Sequence, residues 1–110
     1  MVMVTETKQY RMLVDALQQY EGDTIRIIIT QGSNTTSFEM SEILFQEIKN
    51  HSQMGNRFWI QGHYRSTLSL NIDDIIKVHH SYFIEEDQWR KDGYEIHLKT
   101  GEKIEIDILD

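Results

Sequence analysis

Residues 58–84 read FWIQGHYRSTLSLNIDDIIKVHHSYFI and form the longest run of β-favouring residues in the chain. Apolar and polar side chains alternate here with a period of two, so Ile60 and Tyr64 share one face while Trp59 and Arg65 share the other. This alternation predicts antiparallel strands, and we expect the stretch to hold the middle of a sheet.

A hairpin is predicted inside this stretch, because the apolar alternation resumes after a short break. Opposite residues of an antiparallel pair must point to the same face, which restricts the register. If Tyr64 lies opposite Leu68, then Ile60 lies opposite Ile72, and residues 65–67 form a three-residue turn. A shift by one residue would place Ile60 against a polar position.

A further strand is predicted at residues 75–84. There Ile76 and Val78 alternate with Lys77 and continue the apolar face. Residues 71–74 favour turns, so we expect a bend or a bulge to separate this strand from the hairpin. The segment that follows, residues 85–93, is predicted to be a single helical turn or a loop, with Trp89 as its large apolar residue.

Two helices are predicted in the first half of the chain. Thr7 or Thr5 caps a helix that runs to about Tyr20, with an apolar stripe that indicates packing on one face of the sheet. Ser41 caps a second helix over about residues 42–50. The inner stripe of the second helix comprises Leu44, Phe45 and Ile48.

A hairpin is predicted between the two helices. Residues 24–30 and 35–40 each alternate apolar and polar side chains, with a loop at residues 31–34. A four-residue loop sets Ile29 opposite Thr36, and every following pair then has matching faces.

A last hairpin is predicted near the C-terminus. Setting Leu98 opposite Ile104 aligns the apolar faces and leaves a three-residue turn at residues 100–102. The same register places His97 opposite Glu105 on the outer face, which is a favourable cross-strand pair.

Composition indicates one folded domain over residues 1–110, with residues 1–6 expected to be frayed. The chain has 39% hydrophobic and 26% charged residues and a net charge of −7. The absence of cysteine excludes disulfides and cysteine-ligated metal sites, and it fits a reducing compartment. No apolar run approaches the roughly 18 residues of a membrane span. We therefore expect a soluble cytoplasmic protein without a membrane partner.

These elements together predict a β-rich α+β domain. We expect a curved antiparallel sheet or a small barrel of about five to seven strands, accompanied by two helices. Periodicity alone leaves both architectures open.

The sequence carries no recognisable catalytic or nucleotide-binding motif. Neither a GxGxxG nor a GxxxxGK pattern is present, and no serine lies in GxSxG. The acidic pair at residues 73–74 is expected in a turn, where it does not form a general acid–base pair across a cleft. We expect a protein that is not an enzyme and that has no cofactor, no metal and no small-molecule ligand.

Histidine-linked metal binding is a distant alternative. His79 and His80 are adjacent, so on a strand their side chains point to opposite faces and do not bind one ion without a bulge. His63 and His79 share a face only if their strands pair suitably. We favour polar surface histidines, because no metal-ligand spacing such as HExxH is present.

Trp59 points to a recognition surface. By alternation it lies with Gln61, His63 and Arg65, opposite the face on which Ile60 is buried. Tryptophan beside arginine on the polar side of a strand is typical of binding surfaces, although a central strand is sometimes buried on both faces. The candidate binding residues are Arg57, Trp59, Gln61, His63, Arg65, Lys77, His79 and Glu105.

Two functions follow from the charge distribution. Residues 85–110 hold nine acidic and four basic residues, which predicts a protein-interaction module with an acidic surface. We expect its partner to be a protein, and a basic or nucleic-acid-binding protein would fit. A homodimer is a further option. Residues 56–84 hold three basic and two acidic residues. With the aromatic side chains from Arg57 to His79, they predict weak binding of single-stranded RNA or DNA as the alternative.

Overall fold

The computed structural model of the protein describes residues 3–81 and 90–109. It confirms the α+β class and the antiparallel strands, with one α-helix and eight strands in the described residues. The elements are α1 (Lys8–Gln19), β1 (Ile25–Gln31), β2 (Asn34–Met40), β3 (Leu44–His51), β4 (Gly55–Gln61), β5 (Thr67–Asn71), β6 (Ile75–His80), β7 (Arg90–Leu98) and β8 (Lys103–Leu109). Short 3-10 turns span Val4–Glu6, His63–Arg65 and Ile72–Asp74.

The strands form two open antiparallel sheets. The large sheet has the order β2-β1-β8-β7-β6, and the small sheet has the order β3-β4-β5. Neither sheet closes into a barrel, and the predicted single sheet is replaced by two. Residues 58–84 accordingly do not hold the middle of one sheet: β4 is central in the small sheet, whereas β6 is an edge of the large one.

Both sheets and α1 bury their inner faces in one hydrophobic core. The small sheet contributes Phe58 and Ile60, and the large sheet contributes mainly isoleucine from β1 and β8. Burial of these side chains is the main favourable contribution to folding.

The first predicted helix is confirmed as α1. Thr7 caps it, since its side chain accepts a hydrogen bond from the backbone N–H of Tyr10. The buried stripe comprises Tyr10, Leu13, Val14, Ala16 and Leu17. Gly22 follows the last turn with a φ of 90°, a left-handed conformation that glycine adopts without strain.

The first hairpin has the predicted register. Ile29 lies opposite Thr36, and the pairing continues without a shift to Ile25 opposite Met40. The turn is tighter than expected, because Gln31 also pairs with Asn34.

The second predicted helix is wrong, because residues 44–51 form β3. Along this segment Phe45 is buried while Leu44 is 56% exposed, which is strand alternation and not a helical stripe. Phe45 lies opposite Ile60 of β4, and its ring centroid lies 4.9 Å from that of Phe58. This non-local pairing buries the aromatic ring and outweighs the weak local helix propensity.

The predicted central hairpin forms with a different register. Ile60 lies opposite Leu68, not opposite Ile72. The strand ends early because Tyr64 and Arg65 adopt left-handed backbone conformations, with φ of 56° and 62°, in a 3-10 turn. The new register differs by an even number of residues, so the predicted division into inner and outer faces survives.

The strand predicted at residues 75–84 is described only as far as Ser81, and its first half departs from simple alternation. The register shifts between Ile75 and Lys77, as at a β-bulge. Ile76 is consequently 58% exposed, and its predicted inward orientation is wrong. The predictions for residues 82–84 and 85–89, including Trp89, lie outside the described residues.

The C-terminal hairpin is also confirmed with a shifted register. Ile96 lies opposite Ile104, which places His97 opposite Lys103 and Glu105 opposite Glu95. The predicted pair of His97 with Glu105 is therefore wrong. The turn begins one residue earlier than expected, since the N–H of Leu98 donates to the carbonyl of Glu102 at 3.0 Å.

Candidate interaction surface

The eight predicted site residues are divided between the two sheets. Five lie on or directly after β4, namely Arg57, Trp59, Gln61, His63 and Arg65. Three lie on the large sheet, namely Lys77 and His79 on β6 and Glu105 on β8. The structure thus brings together the first group and separates it from the second.

Trp59 lies on the outward face of the small sheet. Its neighbours along the chain, Phe58 and Ile60, are fully buried, so alternation directs Trp59 away from the core. Across the sheet it is flanked by Gln46 on β3 and Ser69 on β5. The indole is half-buried.

An open groove lies beside the indole and is named here the Trp59 groove. Its volume is about 240 Å³, and its lining residues are Glu21, Leu44, Phe45, Gln46, Trp59 and Gln61. Leu44 is 56% exposed in this groove. Gln46 and Gln61 make no side-chain hydrogen bond within the described residues, so their amides remain available to a partner.

Leu44 and Gln46 are the site residues that sequence reasoning missed. The sequence predicts a helix in this segment, and Leu44 belongs to the buried stripe of that helix. A signal was present, since Ile43 and Phe45 alternate with Leu44 and Gln46 over a short distance. Only the pairing of β3 with β4 shows that this alternation is the relevant period.

Arg57 is turned towards the start of its own strand. Its Nε donates a hydrogen bond to the carbonyl oxygen of Met54 at 3.2 Å. The guanidinium is thus held at the turn before β4, and Arg57 does not line the Trp59 groove.

The turn after β4 presents an exposed aromatic side chain. Tyr64 is 91% exposed, and its ring centroid lies 4.1 Å from that of His63. His63 Nδ1 lies 2.9 Å from a carboxylate oxygen of Glu42, and both side chains are largely exposed. Gly62 anchors this turn, because a Cβ there would lie 2.7 Å from Ser66 Oγ and 3.2 Å from the carbonyl oxygen of Ser41.

The outward face of the large sheet carries several ion pairs. Asp107 is 1% exposed and accepts a hydrogen bond from Arg26 at 3.1 Å. Lys103 Nζ lies 3.7 Å from Glu95 Oε1. Partial burial, the carboxylate of Asp107 and that of Glu95 raise the pKa of Glu105. Glu105 therefore belongs to a structural charge network.

A second polar network joins β6 and β7 to α1. His80 Nε2 lies 2.6 Å from Asp92 Oδ1, and the Tyr94 hydroxyl donates to Asp92 Oδ2 at 2.7 Å. Gln9 of α1 accepts a hydrogen bond from the backbone N–H of His80 at 3.0 Å. Burial and the Asp92 carboxylate raise the pKa of Tyr94 above its usual value, so its hydroxyl stays a hydrogen-bond donor.

The histidines are dispersed over the described part of the molecule. His63 lies after β4 and His79 lies on β6, so the two belong to different sheets. Within residues 3–81 and 90–109, no group of three or more histidine, aspartate or glutamate side chains is placed to hold a metal ion. Over the same residues, the helices are too short or too polar to cross a bilayer.

The chain matches no family model, no curated protein and no solved structure.

Proposed function

We propose that the chain is a non-enzymatic, cytoplasmic protein-interaction module that binds a protein partner through the Trp59 groove. The observation that carries this proposal is the exposure of Leu44 beside the half-buried Trp59 on the outward face of the small sheet. Large apolar side chains on a sheet face that has no covering layer among the described residues favour binding over solvent contact.

The composition of the groove fits protein recognition. Binding energy at interfaces is concentrated in a few large side chains, with tryptophan prominent, surrounded by polar groups that exclude water. Trp59 and Leu44 supply the apolar centre, and Gln46 and Gln61 supply a polar rim whose amides make no side-chain hydrogen bond to the described residues. An apolar side chain of the partner would fill the groove.

The charge around the groove selects a basic partner. Glu21 is its charged lining residue, and the whole chain carries a net charge of −7. Such a field accelerates encounter with positively charged proteins. Glu105 lies on the other sheet and contributes only to this long-range attraction. We therefore expect an apolar anchor flanked by lysine or arginine on the partner.

A matched pair of substitutions tests the proposal. Leu44 and Ile76 are similarly exposed, at 56% and 58%, but lie on different sheets. In pull-downs from native lysate, Leu44→Ser and Trp59→Ala should lose partners that wild type and Ile76→Ser retain. Binding of a recovered partner should weaken at least about tenfold in Trp59→Ala. Identical partner lists for all variants, or no partner for wild type, would contradict the proposal.

Binding of single-stranded RNA or DNA is the second candidate, and the turn after β4 favours it. Tyr64 is almost fully exposed and stands next to Arg65, which offers a stacking ring and a cation together. Lys77 and His79 lie on the large sheet, so the cations do not form one continuous strip along β4.

Fluorescence anisotropy with random-sequence oligonucleotides separates the two candidates. If nucleic acid binds at this turn, affinity should fall steeply with salt, because phosphate neutralisation releases counterions. Tyr64→Ala should weaken binding, whereas Leu44→Ser should not. Absence of binding at low salt excludes this candidate.

A further inference from the structure

In the part of the chain that the structure describes, no strand covers the outer edge of β2. Among the described residues β2 pairs with β1 alone, and this pairing runs without a shift from Asn34 to Met40. An edge strand presents a row of unpaired N–H and C=O groups, which is a template for another strand.

Within residues 3–81 and 90–109, the other three sheet edges carry features that oppose strand addition. β6 has a register shift at its start and the exposed Lys77. β3 has a register shift before His51 and is tied to α1 through Glu47. β5 is short, spanning only Thr67–Asn71. Bulges, lysine and short length are the devices by which edge strands avoid unwanted pairing.

β2 has none of these devices. Its sequence NTTSFEM contains no lysine and no proline, and Glu39 is its one charged residue. Its length of seven residues corresponds to about 24 Å of extended chain. The residues from Asn34 to Ser37 are all exposed.

The hairpin fixes which main-chain groups point outward. Gln31 and Asn34 close a two-residue turn with Gly32 at a φ of 57°, so they form a hydrogen-bonded pair. Hydrogen-bonded and non-hydrogen-bonded pairs alternate along an antiparallel ladder. The N–H and C=O groups of Thr35, Ser37 and Glu39 therefore point away from β1.

We propose that β2 pairs with β2 of a second copy of this chain, antiparallel and centred on Ser37. This two-fold register sets Ser37 opposite Ser37 of the second copy, and Thr35 opposite Glu39 in both directions. Every outward N–H and C=O of these three residues then has a partner. The two large sheets join into one continuous sheet across the dimer axis.

The side chains fit the same register. Thr36 and Phe38 lie on the core side of β2. In the dimer, Thr36 lies opposite Phe38 of the second copy, and Phe38 lies opposite Thr36 of the second copy. The two Phe38 rings then stand diagonally across the axis, at a spacing that aromatic side chains bridge. Phe38 is half-buried in the single chain, so this contact covers its remaining exposed surface.

Electrostatics permit the local contact but limit its strength. The two Glu39 carboxylates are separated by roughly 14 Å along the strands, beyond the Debye length of about 8 Å at physiological ionic strength. Each copy carries a net charge of −7, however, so the copies repel at long range. We expect a weak dimer that salt strengthens, which is opposite to the salt response of binding to a basic partner.

This dimer is independent of the proposed function, because it uses an edge of the large sheet and leaves Trp59 free. The first test is sedimentation equilibrium of wild type at increasing protein concentration and at two salt concentrations. Wild type should move from monomer towards dimer with concentration, and more so at high salt. A protein that stays monomeric up to its solubility limit would overturn the proposal.

Ser37→Pro tests the edge itself. Proline removes the outward N–H of residue 37 without removing a hydrogen bond to β1. The dimer dissociation constant should rise on the order of tenfold or more, because both copies lose a central hydrogen bond. Ser37→Ala keeps the N–H and is the matched control, which should dimerise like wild type. Equal dimerisation of the proline variant and wild type would overturn the proposal.

Charge substitutions at the axis test the register even if the proline variant folds poorly. Ser37→Lys and Ser37→Glu each place like charges opposite one another, so each variant alone should be more monomeric than wild type. An equimolar mixture should recover dimer, because the charges are then opposite. Lack of recovery would overturn the Ser37-centred register. Partner capture through Leu44 and Trp59 should be unchanged in all these variants.

Discussion

The outward faces of the two sheets differ in the ion pairs and hydrogen bonds that their side chains make. On the large sheet, buried Asp107 is paired with Arg26, and Glu95 lies near Lys103. On the small sheet, Trp59 and Leu44 stand beside the amides of Gln46 and Gln61, which make no side-chain hydrogen bond to the residues that the structure describes. The first face thus carries ion pairs between its own strands, whereas the second exposes the apolar side chain of Leu44.

This difference shows that a high density of acidic residues in the sequence does not identify which sheet face exposes large apolar side chains. Acidic residues are abundant in the C-terminal hairpin, yet Asp107 and Glu95 form ion pairs within the large sheet. An apolar face with few ion pairs of its own would offer more binding free energy, since a partner would remove its apolar area from water without breaking ion pairs.

The largest expected effect is a difference in stability between substitutions on the inward face and on the outward face of β4. Phe58 is fully buried against Phe45 and Tyr10, with ring centroids at 4.9 and 6.5 Å. Phe58→Ala should lower the free energy of unfolding by about 3–5 kcal/mol, through lost burial and a cavity. Trp59→Ala should lower it by only about 1 kcal/mol. Urea denaturation measures both, and similar losses would contradict the assignment of Trp59 to the outward face.

The next effect concerns the attachment of α1 to the small sheet. The buried Tyr10 hydroxyl donates a hydrogen bond to Glu47 Oε2. Tyr10→Phe should lower the free energy of unfolding by about 1.5–3 kcal/mol at neutral pH, the range for hydrogen bonds to charged groups. Tyr64→Phe is the matched control, because the same change at an exposed ring should have no measurable effect.

The effect of Tyr10→Phe should depend on pH. Partial burial opposes ionisation of Glu47, but the hydrogen bond from Tyr10 and the cations Lys49 and Arg11 hold its pKa below the ordinary value. A lowered pKa in the folded state adds stability above the ordinary glutamate pKa, and this stability is lost as the pH falls through the lowered value. Wild type and Tyr10→Phe should therefore converge in acid. A difference that stays constant down to low pH would argue against an ionised acceptor.

The smallest effect should be a stabilisation on the large sheet. Glu105 lies opposite Glu95 and next to Asp107 on the same face, and its pKa is raised by partial burial and these carboxylates. Glu105→Gln should raise the free energy of unfolding by about 0.5 kcal/mol at neutral pH, since like charges in cross-strand pairs destabilise a sheet. Thermal unfolding beside Glu21→Gln, an exposed glutamate, provides the comparison.

Glu105→Gln and Tyr10→Phe should both approach the stability of wild type in acid. Glu105→Gln does so by losing an advantage in stability, whereas Tyr10→Phe does so by losing a deficit. Below the ordinary glutamate pKa the carboxyl is protonated in both the folded and the unfolded state, so Glu105 carries no penalty there. The penalty appears as the pH rises through the raised folded-state pKa. The advantage of Glu105→Gln should thus vanish in acid, and an advantage that grows in acid would refute the repulsion.

The sequence by itself determined the faces of most strands. The period of two identified Ile25 and Ile27 as core residues, and it separated Phe58 from Trp59 correctly. Face assignment survives a register error of two residues, because alternation repeats at that distance. The capped, amphipathic helix α1 was predictable for a similar reason, since its signals are local.

Tertiary structure alone decided the registers of the later hairpins and the identity of residues 44–51. Tyr64 and Arg65 adopt left-handed conformations, and the turn between β4 and β5 therefore lies earlier than predicted. The alternation of apolar and polar residues carries no information about such backbone conformations. In residues 44–51 the helical and the strand patterns compete, and pairing with β4 settled the outcome by burying Phe45. The Trp59 groove depends on that pairing, because Leu44 and Trp59 become neighbours only when two strands distant in sequence lie side by side.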